Sequence, residues 1–367
     1  MPIKIIGMIG VTPPINDATV HIITGGISPD YLKSFAQAHE RADYDLVLVG
    51  YTSQSADGIA VASYAAAHTE RLSFLIAHRP GFVAPTLMAR KFATFDQLWN
   101  GRLAVHIIAG VSDVENMMDG DAMEKPDRYR RAAEYLDVMH RAWAGPGPFD
   151  FEGEFYSVRA ARADVPPLQQ PHPVVYFGGS SEGALVMGAE HRDVFAMFAE
   201  PLAVTAERME DFRARAGKHG RVPRFNLSLR PIIGETEDAA WAKAAHILKL
   251  VQKEMATTGG QLAADHSAER IMALAKAADI HDQRLWMPLA AAYGARGNTT
   301  CLVGTAEQVA DACLEYYKLG MGGFLLRGFD PLNDVEDYGR ELIPRIRAGA
   351  AALDGAGSGR QAGDLPG

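Results

Sequence analysis

Short apolar runs recur along the chain at 3–10 (IKIIGMIG), 46–50 (LVLVG), 72–77 (LSFLIA), 103–110 (LAVHIIAG), 174–177 (VVYF), 194–198 (VFAMF), 225–233 (FNLSLRPII) and 323–328 (GFLLRG). Their length and their β-branched and aromatic content predict buried strands. Between most of them lie runs with apolar residues at helical spacing, such as PDYLKSFAQAHERA (29–42) and PTLMARKFATFDQLW (85–99). Strands alternating with amphipathic helices predict a parallel sheet covered by helices, and about eight such units favour a closed (β/α)8 TIM barrel over an open doubly wound sheet. Three stretches break the rhythm. PGPFDFEGEFYSV (146–158) has the alternation and glycine turn of a hairpin near 149–158, followed by the proline-rich connector 165–173. Residues 252–300 are alanine-rich and polar, as expected of a lid-like insertion. The polar end of the chain reads as a flexible tail over 351–367 behind a barrel domain spanning 1–350. Gly355, Gly357 and Gly359 in that tail mimic a nucleotide fingerprint but lack the flanking strand and helix that give it meaning.

Composition narrows the class of partner. With 367 residues, 48% of them hydrophobic, the chain buries a large core. Its formal charge of -9 is the wrong sign for nucleic acid or an anionic membrane surface, leaving a small molecule as the expected ligand. The two cysteines, Cys301 and Cys313, fit neither a disulfide framework nor a zinc set, and the histidines show no HExxH spacing, so no metal is expected. The N-terminal apolar stretch is too short for a secretion signal and no later run is long enough to span a bilayer, so a cytoplasmic protein is expected.

In a barrel the chemistry gathers where the strands end. The residues at those ends include Ser55, His78, Arg79, His106, Ala109, Arg230, Arg327 and Phe329. The stretch VVYFGGSSEGALVMGAEH (174–191) is the most suggestive: Gly178 and Gly179 permit close approach of a ligand to the backbone, and Ser180 and Ser181 offer hydroxyls at a helix start. A phosphate loop and an ordinary strand-to-helix turn with a serine cap both satisfy that pattern.

Taken in order, RLSFLIAHRPGFVAPTLMARKFATFDQLWNGRLAVHIIAG (71–110), KPDRYRRAAEYLDVMHRAW (125–143), FDFEGEFYSV (149–158), PPLQQPHPVVYFGGSSEGA (166–184) and CLVGTAEQVADACLEYYKLGMGGFLLRGFDPLNDVEDYGRELIP (301–344) closely resemble the bacterial luciferase-like flavin monooxygenases, best the alkanesulfonate and methanesulfonate branch. The resemblance implies a TIM barrel that takes reduced FMN (FMNH2) from a separate flavin reductase, reacts it with O2 and oxidises a small organic, anionic substrate such as an alkanesulfonate. It implies that Gly178, Gly179, Ser180, Ser181 and Tyr129 hold the FMN phosphate, with the isoalloxazine near Ala77, His106 and Ala109. His106 stands where this branch has asparagine. Ser55, the pair Ser228 and Arg230, and Phe329-Asp330-Pro331 stand where it has a cysteine, an Arg-x-His pair and Tyr-Pro-His, while Arg296 matches an arginine of a mobile loop.

On this reading Ser55, Arg79, Arg230, Arg296 and Phe329 contact substrate, and His78, His106 and Arg230 are the catalytic candidates. The expected assembly is a homodimer or homotetramer, because 85–99 carries more apolar residues than one covering face needs. A deazaflavin-dependent oxidoreductase of the same superfamily and a non-catalytic flavin-binding protein are the alternatives. An aldolase-type barrel lacks a candidate lysine at a strand end.

Overall fold

The computed structural model describes residues 3–361 except 15, 21, 111, 146, 259–265, 296 and 298, with backbone alone at 258 and 356–361. Among the described residues thirteen strands follow one another: β1 Lys4–Met8, β2 Leu46–Val49, β3 Ser73–His78, β4 Leu103–Ile107, β5 Phe149–Glu152, β6 Ser157–Ala161, β7 Val174–Gly178, β8 Val194–Phe198, β9 Arg224–Ile233, β10 Ile280–His281, β11 Leu285–Trp286, β12 Cys301–Gly304 and β13 Met321–Leu326. Eight of them, β1 to β4, β7 to β9 and β13, pair in parallel around a closed circuit. These coincide with the eight apolar runs. Each is apolar on both faces because one face packs inside the barrel and the other against helices.

The inner face is a layer formed by Ile6, Leu46, Leu75, Ala104, Tyr176, Val194 and Leu325. The larger core lies between strands and helices, where Phe74, Ile76, Phe92, Phe95, Val105 and Phe177 pack. Strand parity therefore decides which side chains look into the barrel: Ala77 shares the inward face of β3 with Leu75, and His106 shares that of β4 with Ala104.

β9 is the longest strand, and it belongs to two sheets. Its first part pairs with β8 and β13, up to Leu229 beside Leu326; from Arg230 onward it leaves the barrel and pairs with β12, which carries β11 and β10 antiparallel on its far side. This small outer extension lies in and just beyond 252–300, and β10 to β12 are too short for a periodicity argument to find. The helices in and around that region are Glu237–Thr258, His266–Ala277 and Pro288–Ala292. The hairpin expected near 149–158 is β5 with β6. The last helix, Ile343–Gln361, continues past 351 into the segment read as a tail. No helix among the described residues is long and apolar enough to cross a membrane.

Candidate functional site

A cavity of about 370 Å3 opens at the C-terminal ends of β4, β7 and β8 and beside Asn226 and Ser228 in the barrel part of β9. One end is formed by the loop after β7. Gly179 leaves no room for a side chain there and Gly178 only a tight one: a Cβ on Gly179 would lie 2.7 Å from the Cβ of Ala184, and one on Gly178 would lie 3.0 Å from the carbonyl oxygen of Ala196. Ser181 caps the helix Glu182–His191 by its backbone position, yet its side chain makes no capping bond. Its Oγ is buried without a partner, so this hydroxyl does not act as the serine cap that the pattern also allowed. Tyr129, on the helix Lys125–Ala144, lies against Gly183, where a Cβ would come within 3.1 Å of its ring, and faces the same cavity with Lys125 one turn earlier.

His106 lines the cavity wall, and its Nδ1 is buried without a partner. Burial, and next the positive charge of Arg192, pushes its pKa down to about 4, so the ring is neutral at neutral pH with one donor and one acceptor nitrogen. Opposite, on β9, Asn226 is 3% exposed and its Oδ1 has no partner. Tyr176 completes the polar floor; burial raises its pKa to about 12 and keeps the phenol protonated. Ala109 lines the wall beside His106, with its carbonyl held at 2.9 Å by Nε of Arg128, while Ala77 is buried beside His106 in register.

Arg79 also reaches the cavity, but its charge is committed. Its Nη2 lies 2.5 Å from Oε1 of Glu115 and its Nη1 3.7 Å from Oδ2 of Asp119, with the Tyr51 ring 4.8 Å from its Cζ.

The remaining candidates lie elsewhere. His78 has the outward parity of β3: Nε2 is 2.8 Å from the Tyr135 hydroxyl, Phe92 packs edge-on, and burial followed by the charge of Lys91 lowers its pKa to about 3. Ser55 closes a turn on Thr52 through its Oγ, which donates to the Thr52 carbonyl at 2.8 Å, beside a separate small cleft under Gly50. Arg230 is fully buried where β9 leaves the barrel. It donates to the carbonyls of Val20 at 2.6 Å, Gly328 at 3.0 Å and Thr19 at 3.4 Å, and its guanidinium stacks over Phe329, itself fully buried. Neither Arg230 nor Phe329 lines the large cavity. Arg296 lies outside the described residues.

Sequence reasoning passed over Lys125, Asn226, Arg208, Ser267 and Arg270, all of which line the cavity. Asn226 carried a usable signal, being a polar residue inside the apolar run FNLSL. Arg208, Ser267 and Arg270 sit on helices whose sequences look like ordinary solvated faces.

The luciferase-like monooxygenase family matches residues 10–322 of this chain. Among solved structures, a riboflavin lyase with modified FMN and riboflavin is 19% identical, covers 95% of this chain and 92% of its own, and superposes with a TM-score of 0.76. DmoA from Hyphomicrobium sulfonivorans is 20% identical over 95% of this chain and 88% of its own, also with a TM-score of 0.76. An F420-dependent secondary alcohol dehydrogenase is 16% identical over 94% of this chain and 99% of its own, with a TM-score of 0.66. These likenesses support the fold, and the family match covers most of the chain: the protein belongs to the luciferase-like monooxygenase family.

Proposed function

We propose that the chain is a monooxygenase that uses FMNH2 and O2 to oxidise a small organic compound, with the reduced flavin supplied by a separate reductase. The observation that carries this reading is the end of the cavity after β7. Gly179 leaves no room for a Cβ and Gly178 only a tight one, the Ser181 hydroxyl is buried and unused, and Lys125 and Tyr129 face the same end. Such a cradle suits a phosphate. From there the cavity leads to His106, Asn226 and Tyr176, a polar floor of the kind that a flat heterocycle with donors and acceptors along its edge requires.

Bound reduced flavin supplies the two electrons with which O2 gives one oxygen atom to substrate and the other to water. The chain's own residues do the rest. The loop from Gly178 to Ser181 would hold one end of the cofactor, and His106 on β4 with Ala109 just beyond it would line the wall against which the rest lies, Ala77 being buried beside His106. Neutral His106 exchanges a hydrogen bond without placing a full charge there, and the apolar walls at Leu48, Leu75, Met197 and Leu325 exclude water. The arginines that suggested an anionic substrate are engaged otherwise, Arg79 with Glu115 and Asp119 and Arg230 with backbone carbonyls. The substrate class is therefore left as small organic compounds, with alkanesulfonates tested beside sulfones and uncharged analogues. Assembly as a homodimer or homotetramer belongs to the same proposal, supported by Leu87 and Leu98, which stand exposed on the helix Pro85–Leu98.

The test is a compound screen with FMNH2 under 18O2. One labelled oxygen in the product for each FMNH2 consumed supports the reading. Hydride transfer from a reduced deazaflavin, with no oxygen incorporated, replaces it by the F420-type alternative that the dehydrogenase likeness raises.

A further inference from the structure

Across the mouth of the phosphate loop lies the helix His266–Ala277. Oγ of Ser267 is 2.8 Å from Oγ of Ser180, so this helix touches the loop through a hydroxyl pair. One turn later Arg270 lines the same cavity. Its Nε and Nη2 hold Oε1 of Glu200 at 2.8 and 2.6 Å, and Nη1 of Arg208, from the helix Leu202–Gly217, holds the same oxygen at 3.1 Å. Glu200 is fully buried just beyond the end of β8; it does not line the cavity, and its Oε2 has no partner.

Two guanidinium groups share one carboxylate oxygen, with Asp211 the further acid near Arg208, and Lys125 on the cavity wall adds positive charge, so this end of the cavity is richer in basic than in acidic lining groups. That surplus matches a terminal phosphate, which carries roughly 1.5 to 2 negative charges at neutral pH. The opposite sign balance holds around Arg79, where two carboxylates surround one arginine. The cavity is thus polarised along its length, and its positive end is built largely from residues outside the glycine-serine loop.

We propose that Ser267 and Arg270 form the second half of the phosphate site, and that Glu200 is a positioning residue that aims Arg270 and Arg208 at it. Docking of the helix and binding of a terminal phosphomonoester are then one event. The inference rests on the flavin-phosphate reading above and sharpens it. A phosphate that continues into a further chain carries one charge fewer and directs that chain at the helix, so the site selects FMN over cofactors of that kind.

The test compares FMN with riboflavin on the full-length protein and on Ser267→Ala and Arg270→Met, with hydrogen exchange read over 266–277. In the unsubstituted protein FMN binds more tightly than riboflavin and slows exchange across the helix, whereas riboflavin does not. Arg270→Met weakens FMN about ten- to a hundredfold and leaves riboflavin unchanged. Ser267→Ala, which leaves the buried Glu200 pairs intact, weakens FMN about three- to tenfold, so the proposal stays testable if Arg270→Met folds poorly. If FMN outbinds riboflavin but both variants and the exchange of 266–277 are indifferent to the phosphate, the second half-site is refuted while the loop reading stands. If FMN and riboflavin bind alike in the unsubstituted protein, the underlying phosphate reading fails as well.

Discussion

His106 and His78 sit on neighbouring strands, one register position apart, and meet opposite fates. His106 faces the cavity with an unused nitrogen; His78 faces the helices and is bonded to Tyr135. The arginines divide in the same way. Arg270 and Arg208 present charge to the cavity from a shared carboxylate, while Arg230 spends its guanidinium on the carbonyls of Thr19, Val20 and Gly328. In a barrel whose strands are apolar on both faces, a reactive side chain at a strand end belongs to the site only if strand parity turns it inward and no backbone acceptor claims it first.

Acid breaks that comparison most strongly. The pKa values of His78 and of His39, which is buried on the helix Pro29–Arg41 with Nδ1 2.8 Å from the Phe35 carbonyl, are lowered by burial to about 3 and about 4, so in the folded state both bind protons less readily than in the unfolded chain. Their contribution to stability is therefore complete above about pH 6.5 and is lost as pH falls below it, on the order of 1.4 kcal/mol per pH unit for each. Denaturant unfolding at pH 7, 6 and 5 measures the slope. His78→Phe and His106→Asn each remove one such group and are each expected to flatten the slope; an unchanged slope for His78→Phe contradicts its burial against Tyr135.

Next in size is Arg230→Met. Removing a buried group that satisfies three carbonyls costs about 2–4 kcal/mol. A fall in Tm with unchanged FMN affinity is expected. An unchanged Tm together with altered preference between anionic and neutral substrates returns Arg230 to the substrate site. Gly179→Val acts on the other region: its side chain collides with Ala184 and forces the loop to shift, weakening FMN by about 1–3 kcal/mol. Retained FMN affinity in a folded Gly179→Val protein contradicts the cradle. The smallest effect is expected from His106→Asn, which restores the asparagine of the sulfonate branch at a position where no protein partner is lost. Thermal unfolding should shift by less than about 1 kcal/mol, and a larger loss means that His106 is a structural residue like His78.

The eight barrel strands were legible because each is a short, predominantly apolar run and most are separated by amphipathic helices. The loop after β7 stood out as a glycine pair followed by serines at a strand end, a pattern that a phosphate loop and an ordinary capped turn both satisfy. Parity was not legible: with both faces apolar, nothing in SFLIAH says that Ala77 points in and His78 out. Nor was the exit of β9 at Arg230, which depends on pairing with β12, a strand of only four residues. Glu200, Arg208 and Arg270 meet across widely separated segments, and no local pattern announces such a meeting.

The central claim is that the cavity holds reduced FMN by its phosphate. Anaerobic titration with reduced FMN, reduced riboflavin and reduced F420 tests it directly. The predicted order has reduced FMN tightest and reduced riboflavin weaker by at least about tenfold, the worth of one charge-assisted hydrogen bond. Equal affinity for FMN and riboflavin, or tighter binding of reduced F420 than of FMN, contradicts it.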